Sequence, residues 1–226
     1  MRTETRIIVN NYYTKEEITL FKRFSKIIDK EYMNKEKQRK IWEFDQKIGG
    51  FGGYAAPLND DISMVALKIC LIDITNGTNL SRNLGKNGDL YKLALKITES
   101  NFDERVKNGD ISIVEDIAKW TKKELGKNLF SFITKYCLYH SVHCYDKDDF
   151  AIYDSVVSKN IYRYLSSNEF YSITGKKLKK NSFNKLKDDY NYHAYIQIID
   201  YIIKKNNITV DKPHRKIDWF IWYKNR

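Results

Sequence analysis

The sequence has little that would divide, cross-link or anchor a chain. Its 226 residues include only two prolines (Pro57 and Pro213), ten glycines and no low-complexity linker, so we expect one compact unit spanning residues 1–226. No apolar run approaches the roughly 18 residues of a membrane helix, and the first residues, MRTETRIIVNN, lack the apolar segment of a signal peptide. We therefore expect a monomer of the cytoplasm that has no membrane partner.

Cysteine is also scarce. The three cysteines, Cys70, Cys137 and Cys144, leave one unpaired in any disulfide scheme, which indicates a reducing compartment. Cys137, His140, His143 and Cys144 are residue types that bind zinc. However, Cys137 and His140 are predicted to share a helix and Cys144 directly follows His143, which is an awkward arrangement for four ligands. The sequence therefore predicts no metal and no cofactor.

Acidic residues are the minority among the charged ones. Lysine and arginine outnumber aspartate and glutamate by 40 to 29, which gives a net charge of +11. A basic surface favours polyanions, and an intracellular protein meets nucleic acid first among these. The same excess is typical of the lysine-rich composition that accompanies AT-rich coding, so charge alone leaves both interpretations open.

Core-forming residues are abundant, and their spacing predicts a mostly α fold. The chain is 42% hydrophobic and 14% aromatic. A capping box at Thr14 and Glu17 precedes the first predicted helix, and Asp60 or Asp61 is predicted to cap the helix ISMVALKICLID. The segment NFDERVKNGD is predicted to be a polar connection, and residues 165–189 are polar and basic. Further helices are predicted over residues 34–47, LYKLALKITES, residues 190–204 and the last residues around Ile217 to Tyr223.

Two loop-like runs carry alternative interpretations. In IGGFGGYAAP, residues 48–57, four glycines surround Phe51. This is either a flexible loop or a loop that brings backbone close to a ligand, with Phe51 or Tyr54 as a stacking wedge. It lacks the Lys-Ser/Thr ending of a nucleotide-binding P-loop. The basic run GKKLKK, residues 175–180, is either a solvated loop or a contact for phosphates.

The stretch from Ile111 to Leu165 carries the pattern that suggests a chemistry. Gly126 is placed to end a first helix, Lys127 and Asn128 form a turn, and FSFITKYCLYH is predicted to be the second helix. An exposed turn before a helix N-terminus offers backbone N–H groups to an anion such as a DNA phosphate, and Lys123 adds positive charge nearby. The alternative is an ordinary antiparallel helix pair in the core.

Lys135 lies on that second helix among mostly apolar neighbours. The residues three and four positions away are Ser131, Phe132, Leu138 and Tyr139. Because three of these four are large and apolar or aromatic, we expect a partly desolvated amine, and desolvation favours the neutral, nucleophilic form. Alternatively, the side chain extends past its neighbours into solvent.

Asp154 ends the run FAIYD and begins the helix SVVSKNIYRYL. As an N-cap it would accept hydrogen bonds from free N–H groups, and the helix dipole would stabilise its negative charge. This capping role is a complete structural interpretation. A carboxylate kept ionised at a helix start can equally stabilise a positive centre on a bound substrate.

Together, TKYC around Lys135 and FAIYDSVV around Asp154 resemble the helix-hairpin-helix DNA glycosylases, and within them the 8-oxoguanine glycosylase branch. In that family a hairpin is followed by a helix with a catalytic lysine, an extended segment, and a catalytic aspartate in a pattern like V-P-x-D-x-x-V. Nineteen positions separate Lys135 from Asp154 (154 minus 135), which is a family-like spacing. The turn GKNLFS lacks the proline and paired glycines of the family hairpin, and three cysteines cannot form the four-cysteine iron–sulfur loop of some relatives.

The resemblance implies a compact helical fold with two lobes around a cleft, in which residues 111–166 form the catalytic part. It also implies a bifunctional glycosylase that extrudes an oxidised or otherwise modified base from double-stranded DNA. Lys135 would form a Schiff base with the sugar, and Asp154 would stabilise the sugar cation. The residues expected to contact the DNA backbone are Lys123, Lys127, Asn128 and Ser155. The aromatic candidates for stacking on the extruded base are Trp42, Phe51, Tyr54, Trp219, Phe220 and Trp222.

The alternative is a non-catalytic DNA-binding or interaction module on the same scaffold, in defence against foreign modified DNA. In that case Asp154 is only a cap and Lys135 only a surface residue. The two hypotheses differ in one geometric requirement, because the enzyme needs both side chains to face one cleft. The sequence names neither the base nor whether the DNA is the cell's own.

Overall fold

Helices make up most of the computed structural model, which describes residues 58–59, 61–76, 78, 80, 84, 89–179 and 181–225. No β-strand occurs within these residues. The mostly α fold predicted from the sequence is therefore confirmed for this part of the chain. The predicted capping box at Thr14 and Glu17 and the predicted helix over residues 34–47 lie outside it.

The helices are numbered here in chain order. They are α1 (Ile62–Asn76), α2 (Asp89–Glu99), α3 (Phe102–Lys107), α4 (Ser112–Leu125), α5 (Phe130–Tyr145), α6 (Ser155–Asn160), α7 (Ser167–Thr174), α8 (Ser182–Asp188), α9 (Tyr192–Lys205) and α10 (Pro213–Asn225). A 3-10 helical turn, Ile161–Tyr164, directly follows α6.

Local capping chemistry sets several of the helix ends. Asp61 caps α1, since its Oδ1 accepts a hydrogen bond from the N–H of Ser63 at 2.7 Å. Gly126 ends α4 in the left-handed conformation, with φ of 71°, which glycine adopts without steric cost. Ser166 and Glu169 form a capping box at the start of α7. The roles predicted for Asp61 and Gly126 are therefore confirmed.

A predicted connection and a segment described only as polar and basic both contain helices. The segment NFDERVKNGD contains α3, because Phe102 and Val106 lie four positions apart and bury one face of a short helix. The polar, basic segment that follows α6 contains α7 and α8, anchored by Phe170 in the first and by Phe183 and Leu186 in the second. The prediction for NFDERVKNGD was wrong, and α7 and α8 were not predicted, because so few apolar residues, set among many charged ones, give a weak periodic signal.

The central helix of the fold is α5. It packs against α1, α3 and α4, and its buried side chains point in nearly every direction around the helix axis. They include Phe130, Phe132, Ile133, Tyr136, Cys137 and Leu138. A helix that is apolar all round belongs in a core, so a lysine on α5 is carried inside with its neighbours.

The C-terminal half of the chain closes over the start of α6. Helix α10 packs against both α6 and α9, and α8 packs against α6 and α9. Ile217 and Ile221 on α10 are buried in the core, which confirms the predicted return of the last helix. Among the helices of the described residues, none is both long and apolar enough to cross a membrane.

Candidate functional site

The turn between α4 and α5 is tight and internally hydrogen-bonded. After Gly126 the chain reverses, and the N–H of Lys127 donates to the carbonyl of Thr121 at 3.3 Å. The N–H of Leu129 donates to Thr121 Oγ1 at 3.3 Å, and the N–H of Phe130 donates to the side-chain oxygen of Asn128 at 3.0 Å. The predicted helix-turn-helix is thus present. Two of its backbone donors, at Leu129 and Phe130, already have partners within the protein.

The side chains of this turn divide into structural and exposed ones. Asn128 accepts from Phe130 and donates from Nδ2 to the carbonyl of Lys187 at 3.3 Å, so its amide serves the fold instead of pointing to a phosphate. Lys123 is exposed and lies 3.0 Å from a carboxylate oxygen of Glu124. Lys127 is half-buried, and Ser155 is exposed at the start of α6. Of the residues predicted to contact DNA, Lys123, Lys127 and Ser155 keep side chains on the surface.

Lys135 is buried, with 7% of its surface exposed. Its neighbours Phe132 and Leu138 are buried as well, while Ser131 and Tyr139 are half-buried. Within the described part of the chain, the amine of Lys135 makes no hydrogen bond or ion pair. The mostly apolar surroundings predicted for Lys135 from the sequence are therefore confirmed.

Asp154 is the N-cap of α6. Its backbone is extended, with φ of −136°, and its Oδ1 accepts hydrogen bonds from the N–H groups of Val156 and Val157 at 2.8 Å each. Both bonds go to one oxygen, so the second carboxylate oxygen remains available toward its half-buried surroundings. The cap predicted from the sequence is confirmed, and it fixes the direction in which the carboxylate points.

The residues that precede Lys135 and Asp154 are joined directly. Thr134 Oγ1 accepts a hydrogen bond from the N–H of Tyr153 at 3.1 Å and lies 3.5 Å from the carbonyl oxygen of the same residue. Thr134 is fully buried and Tyr153 nearly so. This contact therefore joins α5, one residue before Lys135, to the extended segment, one residue before Asp154.

Tyrosine hydroxyls fix the extended segment that leads to Asp154. The hydroxyl of Tyr192 accepts from the N–H of Ala151 at 2.8 Å and donates to its carbonyl at 2.7 Å. The hydroxyl of Tyr195 donates to the carbonyl of Ile152 at 2.6 Å, and that of Tyr153 donates to a carbonyl on α8 at 2.9 Å. Side chains from α9 thus satisfy backbone groups that a buried, non-helical segment would otherwise leave unpaired.

A third charged residue, Asp218 on α10, faces the same region. It is 7% exposed, and its Oδ1 is buried with no hydrogen-bond partner among the described residues. Burial, and after it the negative charge of Asp154, hold the pKa of the Asp218 carboxyl well above its usual range, while the charges of Lys135 and Arg215 act in the opposite direction. Asp154 and Lys135 therefore lie close enough to Asp218 for their charges to act on its carboxyl group.

Sequence reasoning missed Asp218 because it treated the last helix as a docking element. The available signal was a single aspartate inside the otherwise apolar and aromatic run IDWFIW. An acid at such a position costs free energy unless it is hydrogen-bonded or serves a function. Perturbed carboxyl groups of this kind cluster at functional sites.

The aromatic residues predicted to stack on an extruded base differ in where the structure places them. Trp42, Phe51 and Tyr54 lie outside the described residues, as does the side chain of Trp219. Phe220 is buried in the core, with its ring centroid 6.3 Å from that of Tyr164, and this position gives it a packing role. Trp222 is half-buried and lies four positions after Asp218 on α10, so the two share a helix face.

A separate buried polar network joins α1, α3 and α5. The N–H of Asn59 donates to Asp103 Oδ2 at 2.6 Å, while its side-chain oxygen accepts from Lys68 at 3.0 Å and from the hydroxyl of Tyr136 at 2.7 Å. His140 pairs with Asp103 through Nε2. Burial lowers the pKa of His140, although the bond to Asp103 works against that shift.

The residues considered for zinc are used in this network and in the core. Cys137 is fully buried, and Cys144 Sγ lies 3.3 Å from His140 Nδ1. Burial raises the pKa of the Cys144 thiol to about 11, which opposes the thiolate form that binds metal. Within the described residues, no group of three or more His, Cys, Asp or Glu side chains is placed to hold a metal ion.

Comparison with known proteins finds a family for more than half of the chain. The family model HI_0787_N, described as an N-terminal domain, matches residues 26–149; this range includes Lys135 and ends before Asp154. A Haemophilus influenzae protein named "Uncharacterized protein" is 32% identical over 88 residues, which are 39% of this chain. The match spans about 40% of the length of that curated relative. No solved structure matches the chain.

Proposed function

The chain belongs to the HI_0787_N family, and we propose that it is a DNA glycosylase with lyase activity. Its substrate is double-stranded DNA containing an oxidised or otherwise modified base. One observation supports the proposal: the Thr134–Tyr153 hydrogen bond joins the residue before a buried lysine, which has no partner among the described residues, to the residue before a half-buried aspartate at a helix start. These are the two groups that the resemblance to helix-hairpin-helix glycosylases requires, and they follow one another in the same chain order.

The first step is extrusion of the modified nucleotide from the duplex. An enzyme cannot reach the glycosidic bond inside the stack, so the base must leave it and enter a pocket. Trp222 offers an aromatic surface for stacking, and Asp218, on the same face of α10, offers a buried oxygen that has no hydrogen-bond partner among the described residues. Such an oxygen gains a hydrogen bond from an N–H group on the edge of the extruded base.

The second step is cleavage of the glycosidic bond. The base departs with the bonding electron pair, and the positive charge that develops on the sugar is stabilised by Asp154. The neutral amine of Lys135 donates its lone pair to the anomeric carbon and loses a proton, which Asp154 or the departing base takes up. Opening of the sugar ring then gives a Schiff base between Lys135 and the sugar.

The third step is strand cleavage. Loss of a proton from the carbon next to the Schiff base allows the neighbouring 3′ phosphate to leave, and hydrolysis of the imine releases Lys135. In this scheme Lys123, Lys127 and Ser155 contact the DNA backbone from the surface of the protein. The protein acts in the cytoplasm as a monomer. Such contacts position the duplex without reading its sequence.

Borohydride trapping tests this proposal directly. Borohydride reduces the Schiff base to a stable amine, so the protein becomes covalently attached to its DNA. We expect an adduct on at least one duplex from a panel carrying 8-oxoguanine, other modified bases or an abasic site. Lys135→Gln should abolish the adduct. Lys159→Gln, which removes an exposed lysine on neighbouring α6, should keep it and serves as the matched control.

A second candidate function is a DNA-binding or interaction module without catalysis, active against foreign modified DNA. The observation that favours it is the cap itself, since two hydrogen bonds to Oδ1 account for Asp154 without any substrate. If no duplex of the panel is trapped, and Asp154→Asn changes only stability, this second function replaces the first.

A further inference from the structure

The basic segment between α7 and α8 forms a pocket. A hollow of about 350 Å³ lies there, with Phe170 and Leu186 as its apolar floor and with four lysines on its walls. These are Lys176, Lys177, Lys179 and Lys185. We refer to this hollow as the lysine pocket.

The walls of the lysine pocket are ordered by backbone geometry. Gly175 ends α7 with φ of 67°, and the N–H of Lys176 then donates to Thr174 Oγ1 at 3.2 Å. Ser182 Oγ accepts from the N–H of Lys179 at 2.7 Å. The chain therefore turns sharply twice and presents Lys176, Lys177 and Lys179 from a defined loop, while Lys185 lies on α8.

The charge of the lysine pocket is mostly unneutralised. Lys176 lies 3.2 Å from a carboxylate oxygen of Asp189. Lys177, Lys179 and Lys185 are exposed, and within the part of the chain that the structure describes they form no ion pair. Several like charges around one hollow repel one another unless an anion lies between them.

Two hydrogen bonds place the lysine pocket beside the candidate site. Helix α8, which forms one of its walls, accepts a bond from Asn128 in the α4–α5 turn, at the carbonyl of Lys187. It also accepts a bond from the hydroxyl of Tyr153, at the carbonyl of Phe183. The pocket is thus fixed both to the turn predicted to meet DNA and to the segment that carries Asp154.

We propose that the lysine pocket binds phosphodiester groups of the same DNA duplex whose modified nucleotide reaches Lys135 and Asp154. This inference rests on the proposed function and adds a second backbone contact to it. The turn between α4 and α5 and the lysine pocket, which α8 joins, contact the backbone of the duplex at separate phosphates. Both contacts are independent of base sequence, because lysines meet phosphates as point charges.

The test is equilibrium binding of an unmodified duplex at several salt concentrations. The triple variant Lys177→Ala/Lys179→Ala/Lys185→Ala should bind more weakly. The slope of log K against log salt should also become shallower by about 0.9 for each phosphate that the variant no longer neutralises, or roughly 2.7 if each of the three lysines neutralises one. The matched control is Lys92→Ala/Lys96→Ala/Lys107→Ala, which makes the same charge change on α2 and α3 and should leave the slope near that of the wild type.

Unmodified DNA separates this inference from the proposed chemistry, since binding it requires no Schiff base. If trapping fails with the wild type while the pocket variant still binds more weakly and with a shallower slope, the pocket stands and the glycosylase proposal falls. An unchanged slope in a variant that unfolds like the wild type overturns the inference. So does a variant that no longer binds vesicles of anionic lipid but keeps its affinity for the duplex.

Discussion

The hydrogen bond from the N–H of Tyr153 to Thr134 Oγ1, 3.1 Å long, sets the relative position of Lys135 and Asp154. Each partner immediately precedes one of the two proposed catalytic residues. The bond is buried, so water cannot replace it. It joins two local features, the helix that carries Lys135 and the segment that ends at the Asp154 cap.

Replacing this threonine should therefore affect both stability and chemistry. Thr134→Val keeps the shape of the side chain but leaves the Tyr153 N–H unpaired in the core, which costs about 1–3 kcal/mol of the free energy of unfolding. We also expect the single-turnover rate of adduct formation to fall further than the folded fraction does. Urea unfolding and borohydride trapping measure the two effects.

Thr98→Val is the matched control for this change. Thr98 Oγ1 donates to the carbonyl of Ala94 within its own helix at 3.0 Å, so its removal orphans no N–H group. We expect the control to unfold and react much like the wild type. Equal decreases in the unfolding free energy of the two valine variants would show that the Thr134–Tyr153 hydrogen bond contributes no more to stability than the bond within a helix.

Two substitutions at Asp154 separate capping from catalysis. Asparagine keeps a side-chain oxygen for the N–H groups of Val156 and Val157, and asparagine is as good an N-cap as aspartate. Asp154→Asn should therefore change the unfolding free energy little but abolish base excision, because the negative charge is gone. Asp154→Ala should lose excision and also about 0.5–2 kcal/mol of stability. Excision that survives in the asparagine variant would assign Asp154 to the cap alone.

What the sequence predicts well in this protein is local. Gly126 as a helix end and Asp154 as a helix start follow from backbone preferences within a few residues, and the burial of Lys135 follows from its neighbours on α5. These properties depend on the chain near each residue, so one sequence is enough to predict them.

What the sequence does not predict depends on distant packing. Asp218 joins the site only because α10 returns to lie against α6. Asn128 is committed to the fold because α8 lies within reach of its amide. Helices α3, α7 and α8 owe their stability to the core that they pack against more than to their own periodicity. The local pattern of residues carries only weak signals of these arrangements, such as the single aspartate in the run IDWFIW.

Asp218 should lower the free energy of unfolding while supporting base excision. A buried carboxyl whose pKa lies above its unfolded value destabilises the protein as pH rises past that unfolded value, because the native state holds the proton more tightly than the unfolded chain. Asp218→Asn removes this cost, so its increase in unfolding free energy over the wild type should be larger at pH 8 than at pH 4. Base excision should fall at the same time, since the proposed hydrogen bond with the base is altered.

Urea unfolding at the two pH values and trapping on a modified duplex check both halves of this prediction. Asp211→Asn, which changes an exposed acid just before α10, is the control and should show no comparable difference between the two pH values. A pH-independent increase in Asp218→Asn, or unimpaired excision, would contradict the assignment of Asp218 to the site.

His214 should make the free energy of unfolding depend on pH in the neutral to alkaline range. Burial alone would lower the pKa of His214, but hydrogen bonds to Asp148 at 3.1 Å and Asp200 at 2.8 Å raise it to about 9. A raised histidine pKa stabilises the folded state fully below the unfolded value of about 6.5, and this contribution is lost as pH rises through about 9. His214→Gln should therefore be less stable than the wild type at pH 6, and the difference should shrink by pH 10. His193→Gln, at an exposed position, is the control. A difference in unfolding free energy between His214→Gln and the wild type that stays constant across this pH range would show that the ion pairs of His214 do not hold α10 in place.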